Sequence, residues 1–392
     1  MAGAWLLGSD AATRADRPRA VLVAVRNEAD PQDSGSGTEL SLAELERLAD
    51  TDGLTVVDAV VQSRPRPDSA TYVGAGKVQE LTEAAERGHA DLVIADGELT
   101  PGQVRNLEEQ VGVRVVDRTA LILDVFAEHA RTSEGRLQVE LAQIAYQLPR
   151  LRGDGRGLSR VGGGRVAGGA GMGVRGPGEQ RLETQRRRLR QRASRLGERV
   201  RELSRRREQT RRRRTRNRVP SVAITGYTNA GKSALLNRLT GADVLVEDVL
   251  FATLDPTVRR IRVDDIVATL ADTVGFVRYL PHQLVDAFRS TLEEVSRSDL
   301  AVHVVDASAP DAANQIATVH DVLREIGAGD VPELLVLNKI DVAPQEQLTT
   351  LRRRYPDALA VSALTGAGVG ELRTALAARL REVGTGTPSP SR

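Results

Sequence analysis

The sequence predicts an α/β protein in which two parallel-sheet domains are joined by a long helical hairpin, and three observations carry that prediction. Short apolar runs alternate with helical stretches over residues 21–117. Leucines then recur every seven residues at Leu182, Leu189, Leu196 and Leu203. After Val219 and Pro220 the strand–helix alternation resumes and continues to about residue 383. A chain of 392 residues also exceeds one ordinary core, because single cores rarely grow past about 250–300 residues.

Taken in order, residues 1–19 read as a disordered N-terminus and 20–117 as a small parallel α/β domain. In that domain, strand-like runs at 21–25, 54–61, 92–95 and 113–116 alternate with helical stretches at 40–49, 78–85 and 102–110. Tyr72-Val-Gly-Ala-Gly-Lys77 sits at a helix start, where backbone N–H groups can take an anion, and a tight turn explains it equally well. Residues 118–218 form the hairpin. Leu137, Leu141, Ile144 and Leu148 make one stripe that Pro149 ends, and the heptad leucines, with Ala193 and Val200, make the other. Two narrow stripes separated by a loop pack most simply as an antiparallel pair.

The loop, residues 151–178, is rich in glycine and carries Arg152, Arg156, Arg160, Arg165 and Arg175 with few apolar anchors. It has no core of its own. From Arg150 to Arg218 there are 24 arginines against six acidic residues, a surplus of 18 in a chain whose net charge is only +2. Such a block points to a polyanion, with nucleic acid foremost, and the shortage of aromatics favours phosphate and shape contacts over base stacking. A solvated helix face is the competing reading of that charge.

The chain has 40% hydrophobic and 28% charged residues, no cysteine, and no apolar run of the roughly 18–20 residues needed to cross a membrane. No basic stretch precedes the short apolar patch at Trp5–Leu7, so a signal peptide is not expected and the cytoplasm is the default address. Of 55 basic residues only Lys77, Lys232 and Lys339 are lysines, and two of these fall in the motifs below. Where arginine has taken nearly every basic position, a lysine marks a need for a compact ammonium.

Residues 219–383 carry the nucleotide motifs, ahead of a tail at 384–392 expected to be disordered. Gly226-Tyr-Thr-Asn-Ala-Gly-Lys-Ser233 fits GxxxxGK[ST] between a strand and a helix, so Gly226, Tyr227, Thr228, Asn229, Ala230 and Gly231 are expected to wrap phosphates. Lys232 then reaches the β and γ phosphates, and the Ser233 hydroxyl ligates Mg²⁺. Asp272, Thr273, Val274 and Gly275 form DxxG, with Asp272 holding Mg²⁺ through water and the Gly275 N–H meeting the γ-phosphate. Between them lie Phe251, Ala252, Thr253, Leu254 and Asp255, where Thr253 is expected to close over Mg²⁺. Lys232, Thr253 and Gly275 are the expected catalytic positions, and Ser233 and Thr253 the metal ligands.

Asn338, Lys339, Ile340 and Asp341 choose the base: the Asp341 carboxylate accepts from N1–H and the exocyclic amine of guanine, a donor pair adenine lacks. Lys339 lays its stem along the ring, and Ser362, Ala363 and Leu364 offer the Ala363 N–H to the guanine O6. GTP and GDP are therefore expected over ATP, in a P-loop GTPase domain of Ras-like type. Phe276 stands where such domains place a glutamine that orients the attacking water, so intrinsic hydrolysis is expected to be slow until a partner reorganises the site.

These residues resemble a family, the HflX ribosome-associated GTPases of the translation-factor class. The likeness runs through Tyr72-Val-Gly-Ala-Gly-Lys77, Asp117-Arg-Thr-Ala-Leu-Ile-Leu123, Glu134-Gly-Arg-Leu-Gln-Val-Glu-Leu-Ala-Gln143 and Arg175-Gly-Pro-Gly-Glu179, and then through the nucleotide motifs, about 300 residues in all. Ala234, Leu364 and Gln185 depart from the family pattern, which has threonine, lysine and an acid there. The resemblance implies a GTPase that binds the large ribosomal subunit and splits or rescues ribosomes under stress, stimulated by the ribosome, with loop 151–178 and the hairpin reaching ribosomal RNA. A monomer with no obligatory membrane is expected. A regulatory GTPase reading a protein or acidic membrane, and an RNA-binding scaffold that uses GTP structurally, remain open on the residues alone.

Overall fold

The computed structural model describes residues 17–27, 37–151, 177–216, 219–241, 250–251, 257–279 and 292–385. Its chain divides into two compact units, residues 1–128 with 137–201 and residues 129–136 with 202–392.

In the first unit, β1 (Arg19–Arg26), α1 (Gly37–Thr51), β2 (Thr55–Ser63), α2 (Ala75–Gly88), β3 (Leu92–Ala95), α3 (Pro101–Val111) and β4 (Arg114–Asp117) follow one another in strict alternation. The strands form one parallel sheet in the order β2-β1-β3-β4. Parallel strands need crossover helices, so the alternation seen in the sequence fixes both features. All four residues of β3 are buried, as expected for a strand covered on both faces. Helix α3 has its own start and stop signals: Thr100 and Gln103 form a capping box, Pro101 opens the helix, and Gly112 closes it at φ +78°. Strand β1 begins at Arg19, the last residue of the stretch assigned to the N-terminus.

The stretch assigned to the first arm of the hairpin holds two helices, α4 (Arg118–His129) and α5 (Ser133–Arg150), and only α5 carries the stripe of Leu137, Leu141, Ile144 and Leu148. Pro149 does not stop α5 but sits in its last turn, and Arg150 is still helical. Proline there forfeits only one late hydrogen bond, and the Leu151 N–H still donates to Gln147 O at 3.1 Å. On α5 the buried residues are Gly135, Gln138, Val139, Ala142, Ile144 and Tyr146, whereas Leu137, Leu141 and Leu148 are half-buried. Helix α6 (Pro177–Arg216) keeps Leu182, Leu189 and Leu203 half-buried and Leu196 buried, while most of its described arginines are exposed. Arg192 of α6 pairs with Glu140 of α5. The glycine- and arginine-rich loop lies outside the described residues over 152–176.

A buried ionic network closes the C-terminal end of the first sheet. Arg118, 2% exposed, donates to Asp96 Oδ1 at 2.7 Å and Ser41 Oγ at 3.2 Å, and pairs with Glu44. Asp117, fully buried, accepts from the Leu99 and Ala120 N–H groups, the Tyr146 hydroxyl at 2.9 Å and Arg150 at 2.8 Å. Burial nevertheless raises the Asp117 carboxyl above the usual range.

The second unit is built on β5 (Ser221–Gly226), α7 (Lys232–Thr240), β6 (Thr257–Val263), β7 (Ile266–Asp272), β8 (Leu300–Asp306), α8 (Ala312–Glu325), β9 (Glu333–Asn338), α9 (Gln345–Arg354), β10 (Leu359–Ala360) and α10 (Val369–Thr385). Its six-stranded sheet runs β10-β9-β8-β5-β7-β6, parallel except for the antiparallel edge strand β6. The core joins Val222, Ile224, Leu236, Leu270, Val302, Val336, Leu372 and Leu376. Helix α10 runs through Thr385, two residues into the segment expected to be a disordered tail. Among the described residues, no helix is long and apolar enough to cross a membrane.

Candidate functional site

Strand β5 is flanked by β8 and β7, so the connections leave it toward opposite sides and open a crevice at its C-terminal end, where ligands of such sheets bind. Every nucleotide motif that falls among the described residues ends a strand at this edge. Gly226 ends β5, Asp272 ends β7, Asn338 ends β9, and Ser362 follows β10.

The phosphate-loop segment runs from Gly226 into α7 through left-handed Asn229 at φ 57° and Gly231 at φ +88°. A Cβ on Gly231 would stand 2.3 Å from Asn338 Nδ2, so only glycine fits. Lys232 is buried at the start of α7, and its ammonium donates to the Tyr227 carbonyl at 2.8 Å. Burial, outweighing the attraction of Asp272, pushes this ammonium down to about 8, with Lys339 adding to the depression. The Ser233 hydroxyl donates to Asp272 Oδ2 at 2.7 Å, which sets two side-chain oxygens next to each other on α7 and β7.

DxxG lies against this loop along its length. Thr273, fully buried, bonds the Ile224 carbonyl at 2.7 Å, and Val274 is buried beside it. The Phe276 N–H donates to Gly226 O at 3.1 Å, and its carbonyl accepts from the Thr228 N–H at 2.6 Å. Gly275 is held so close that a Cβ there would stand 2.8 Å from Thr228 Cα and 2.9 Å from Lys232 Nζ. The Phe276 ring is buried at 1% exposure. Phe251, at φ 59°, donates its N–H to Thr228 Oγ1 at 3.0 Å. Ala252, Thr253, Leu254 and Asp255 lie outside the described residues.

Asn338 has a role that its motif does not spell out. Its Nδ2 donates to Ala230 O and its Oδ1 accepts the Ala363 N–H, each at 2.9 Å, so one buried amide ties the phosphate loop to the segment after β10. The Ala363 N–H expected at guanine O6 thus already donates to Asn338. Lys339, at φ 62°, sets its ammonium 2.7 Å from Asp306 at the end of β8. Asp341 and Leu364 are exposed, Ile340 is half-buried, and the buried Ser362 hydroxyl accepts from the Thr365 N–H. Asp306 and the Arg278–Asp311 pair at 2.8 Å were missed from sequence, although an acid closing the apolar run of β8 is a usable signal.

The chain is 50% identical over 328 residues to "GTPase HflX" of Caldanaerobacter subterraneus subsp. tengcongensis, covering 83% of this chain and 73% of that protein. It belongs to the HflX family of GTPases. The Escherichia coli member is 46% identical over 342 residues, covering 86% of this chain and 79% of that protein. Family models described as GTP-binding GTPase N-terminal, GTP-binding GTPase middle region and 50S ribosome-binding GTPase match residues 39–127, 129–214 and 221–339. A solved GTP-binding protein of Sulfolobus solfataricus in complex with GDP is similar at 24% identity and a TM-score of 0.44, over 93% of this chain and 99% of that one. Like the HflX family at large, this chain binds and hydrolyses GTP.

Proposed function

We propose that this HflX-family chain is a slow GTPase switch that acts on the large ribosomal subunit, splitting or rescuing ribosomes under stress and hydrolysing faster when the ribosome is bound. The observation that carries the reading is one chain holding both the phosphate-loop site and the 24 arginines against six acids between Arg150 and Arg218. The description of the matched family, a 50S ribosome-binding GTPase, supports the same target. Contact with ribosomal RNA is assigned to loop 151–178 and the hairpin, whose charge suits a phosphate surface.

At the site, Lys232 donates its ammonium to the β and γ phosphates, and backbone N–H groups of the loop from Asn229 to Ser233, leading into the α7 N-terminus, take the remaining oxygens. The Gly275 N–H donates to the γ-phosphate, and Asp341 accepts from guanine while the Lys339 stem covers the ring. The adjacent oxygens of Ser233 and Asp272, 2.7 Å apart, fit Mg²⁺, which is held by a few protein oxygens together with phosphates. Ser233 and Thr253 are its proposed direct ligands, and Asp272 acts through water. Bound Mg²⁺ supplies charge neutralisation at the β and γ phosphate oxygens. Phe276 offers no hydrogen-bonding group to orient water, which accounts for slow turnover in the absence of a partner.

Gradient sedimentation with a non-hydrolysable GTP analogue tests the target. Co-migration with large subunits that depends on the analogue is expected, and migration independent of nucleotide and ribosome would sink the reading. Steep loss of RNA binding with rising salt, flattened when Arg152, Arg156, Arg160, Arg165 and Arg175 are replaced, is the matching expectation for the loop.

A further inference from the structure

A second group of chemically competent side chains lies away from the nucleotide motifs. His303 sits inside the apolar strand β8, between Val302 and Val304, and is 1% exposed. His320 comes from α8, and Glu333 is the first residue of β9. The Glu333 carboxylate lies 2.5 Å from His303 Nδ1 through Oε1, and 3.0 Å from His320 Nε2 through each oxygen. The imidazole rings meet edge to face with centroids 5.4 Å apart. One ligand atom from each residue lies within 4.8 Å of the other two.

We propose that His303, His320 and Glu333 form a binding site for a Zn²⁺-class transition-metal ion. Two imidazole nitrogens and one carboxylate are a ligand set that zinc takes, and a cysteine-free chain has only nitrogen and oxygen donors for such an ion. Bonds of about 2.1 Å at tetrahedral angles place neighbouring ligand atoms roughly 3.4 Å apart, and the Glu333 oxygens, 2.5 and 3.0 Å from the two imidazole nitrogens, stand slightly inside that value. Rotating the carboxylate of the part-exposed Glu333 back by about 0.9 Å from His303 and about 0.4 Å from His320 makes room for the ion. His320 and Glu333 are 40% and 31% exposed while His303 is buried, so the ion enters from the His320 side and keeps a position open to water there.

The three ligands come from a sheet strand, its neighbour and the crossover helix between them, so an ion would pin α8 to the β8–β9 pair. His303 also pairs in register with Thr225, the residue before Gly226, which puts the site one strand from the phosphate loop. A hydrogen-bonded carboxylate bridge with no metal function is the competing account. It predicts the same apo geometry but no ion uptake.

The test uses the full chain stripped of metal and nucleotide, titrated with Co²⁺ as a spectroscopic probe and then with Zn²⁺. One equivalent of Co²⁺ should give the intense visible absorption of a four-coordinate site, and Zn²⁺ should displace it and raise the unfolding temperature. His320→Ala and Glu333→Gln alter the exposed side of the site and should abolish both signals while GDP binding persists. Their circular dichroism and GDP affinity distinguish loss of the site from loss of the fold. Absence of the absorption in the parent chain, or its retention in His320→Ala, would overturn the proposal.

Discussion

Both sheets of this chain gather charge at the C-terminal ends of their strands, but they handle it differently. In the first unit, Arg118 is met by Asp96 and Glu44, and Asp117 by Arg150, Tyr146 and two backbone N–H groups. Positive and negative groups there satisfy one another inside the protein. In the second unit, buried Lys232 has its ammonium against a backbone carbonyl, with its proton affinity lowered by burial. The same sheet edge is thus a closed ionic lock in one unit and, in the other, an ammonium whose burial outweighs the attraction of Asp272, and only the second arrangement gains when an anion arrives. A cluster of buried charges marks a ligand site when its own members fail to neutralise it.

The contrast can be broken most sharply at Arg118. Arg118→Met leaves Asp96 and Glu44 without their shared cation and should cost about 3–5 kcal/mol of first-unit stability in urea unfolding, with GDP affinity unchanged. A loss under about 1 kcal/mol would mean the lock is not self-supporting.

Gly275→Ala comes next, because its Cβ would stand 2.9 Å from Lys232 Nζ. Displacing the ammonium should slow GTP hydrolysis on the order of 100-fold in single-turnover assays, and because the same Cβ would stand 2.8 Å from the Thr228 Cα, urea stability should fall as well.

Lys232→Met should have the opposite sign on stability. The depression from 10.5 to about 8 corresponds to about 3 kcal/mol, less roughly 1 for the lost bond to Tyr227. The nucleotide-stripped variant should therefore unfold at a higher temperature than the parent chain at pH 7. The pH dependence sharpens this. Between pH 8 and 10.5 the unfolded chain holds the Lys232 proton more tightly than the folded one, so the penalty is fully present below 8 and fades as pH rises. Parent stability, relative to Lys232→Met, should climb through that window. The smallest effect is expected at the exposed Arg192–Glu140 pair, where Arg192→Ala should change stability by less than about 0.5 kcal/mol.

Much of this was legible in the sequence because the signals are local. Repeating strand–helix order gave the parallel sheets, and GxxxxGK[ST], DxxG and NKxD each describe one loop with its own backbone demands. What escaped was set by residues far apart in the chain. Asn338 reaches Ala230 across 108 positions, and Arg278 reaches Asp311 across 33. Periodicity could not separate α4 from α5, since both are apolar on the buried side and only three residues part them. Nor does composition reveal that Pro149 is harmless in a final turn, or that His303 in an apolar strand would find Glu333 and His320 beside it.

The most direct test of the account is equilibrium binding of GDP, with ADP as control, to the full chain and to Lys232→Met, each paired with its nucleotide-free unfolding temperature. One GDP per chain, no comparable ADP affinity at that site, and a variant that loses GDP while becoming more stable is the result predicted by a buried ammonium that Asp272 only partly offsets. A Lys232→Met chain that still binds GDP as tightly as the parent, or that loses both GDP and stability, would contradict it.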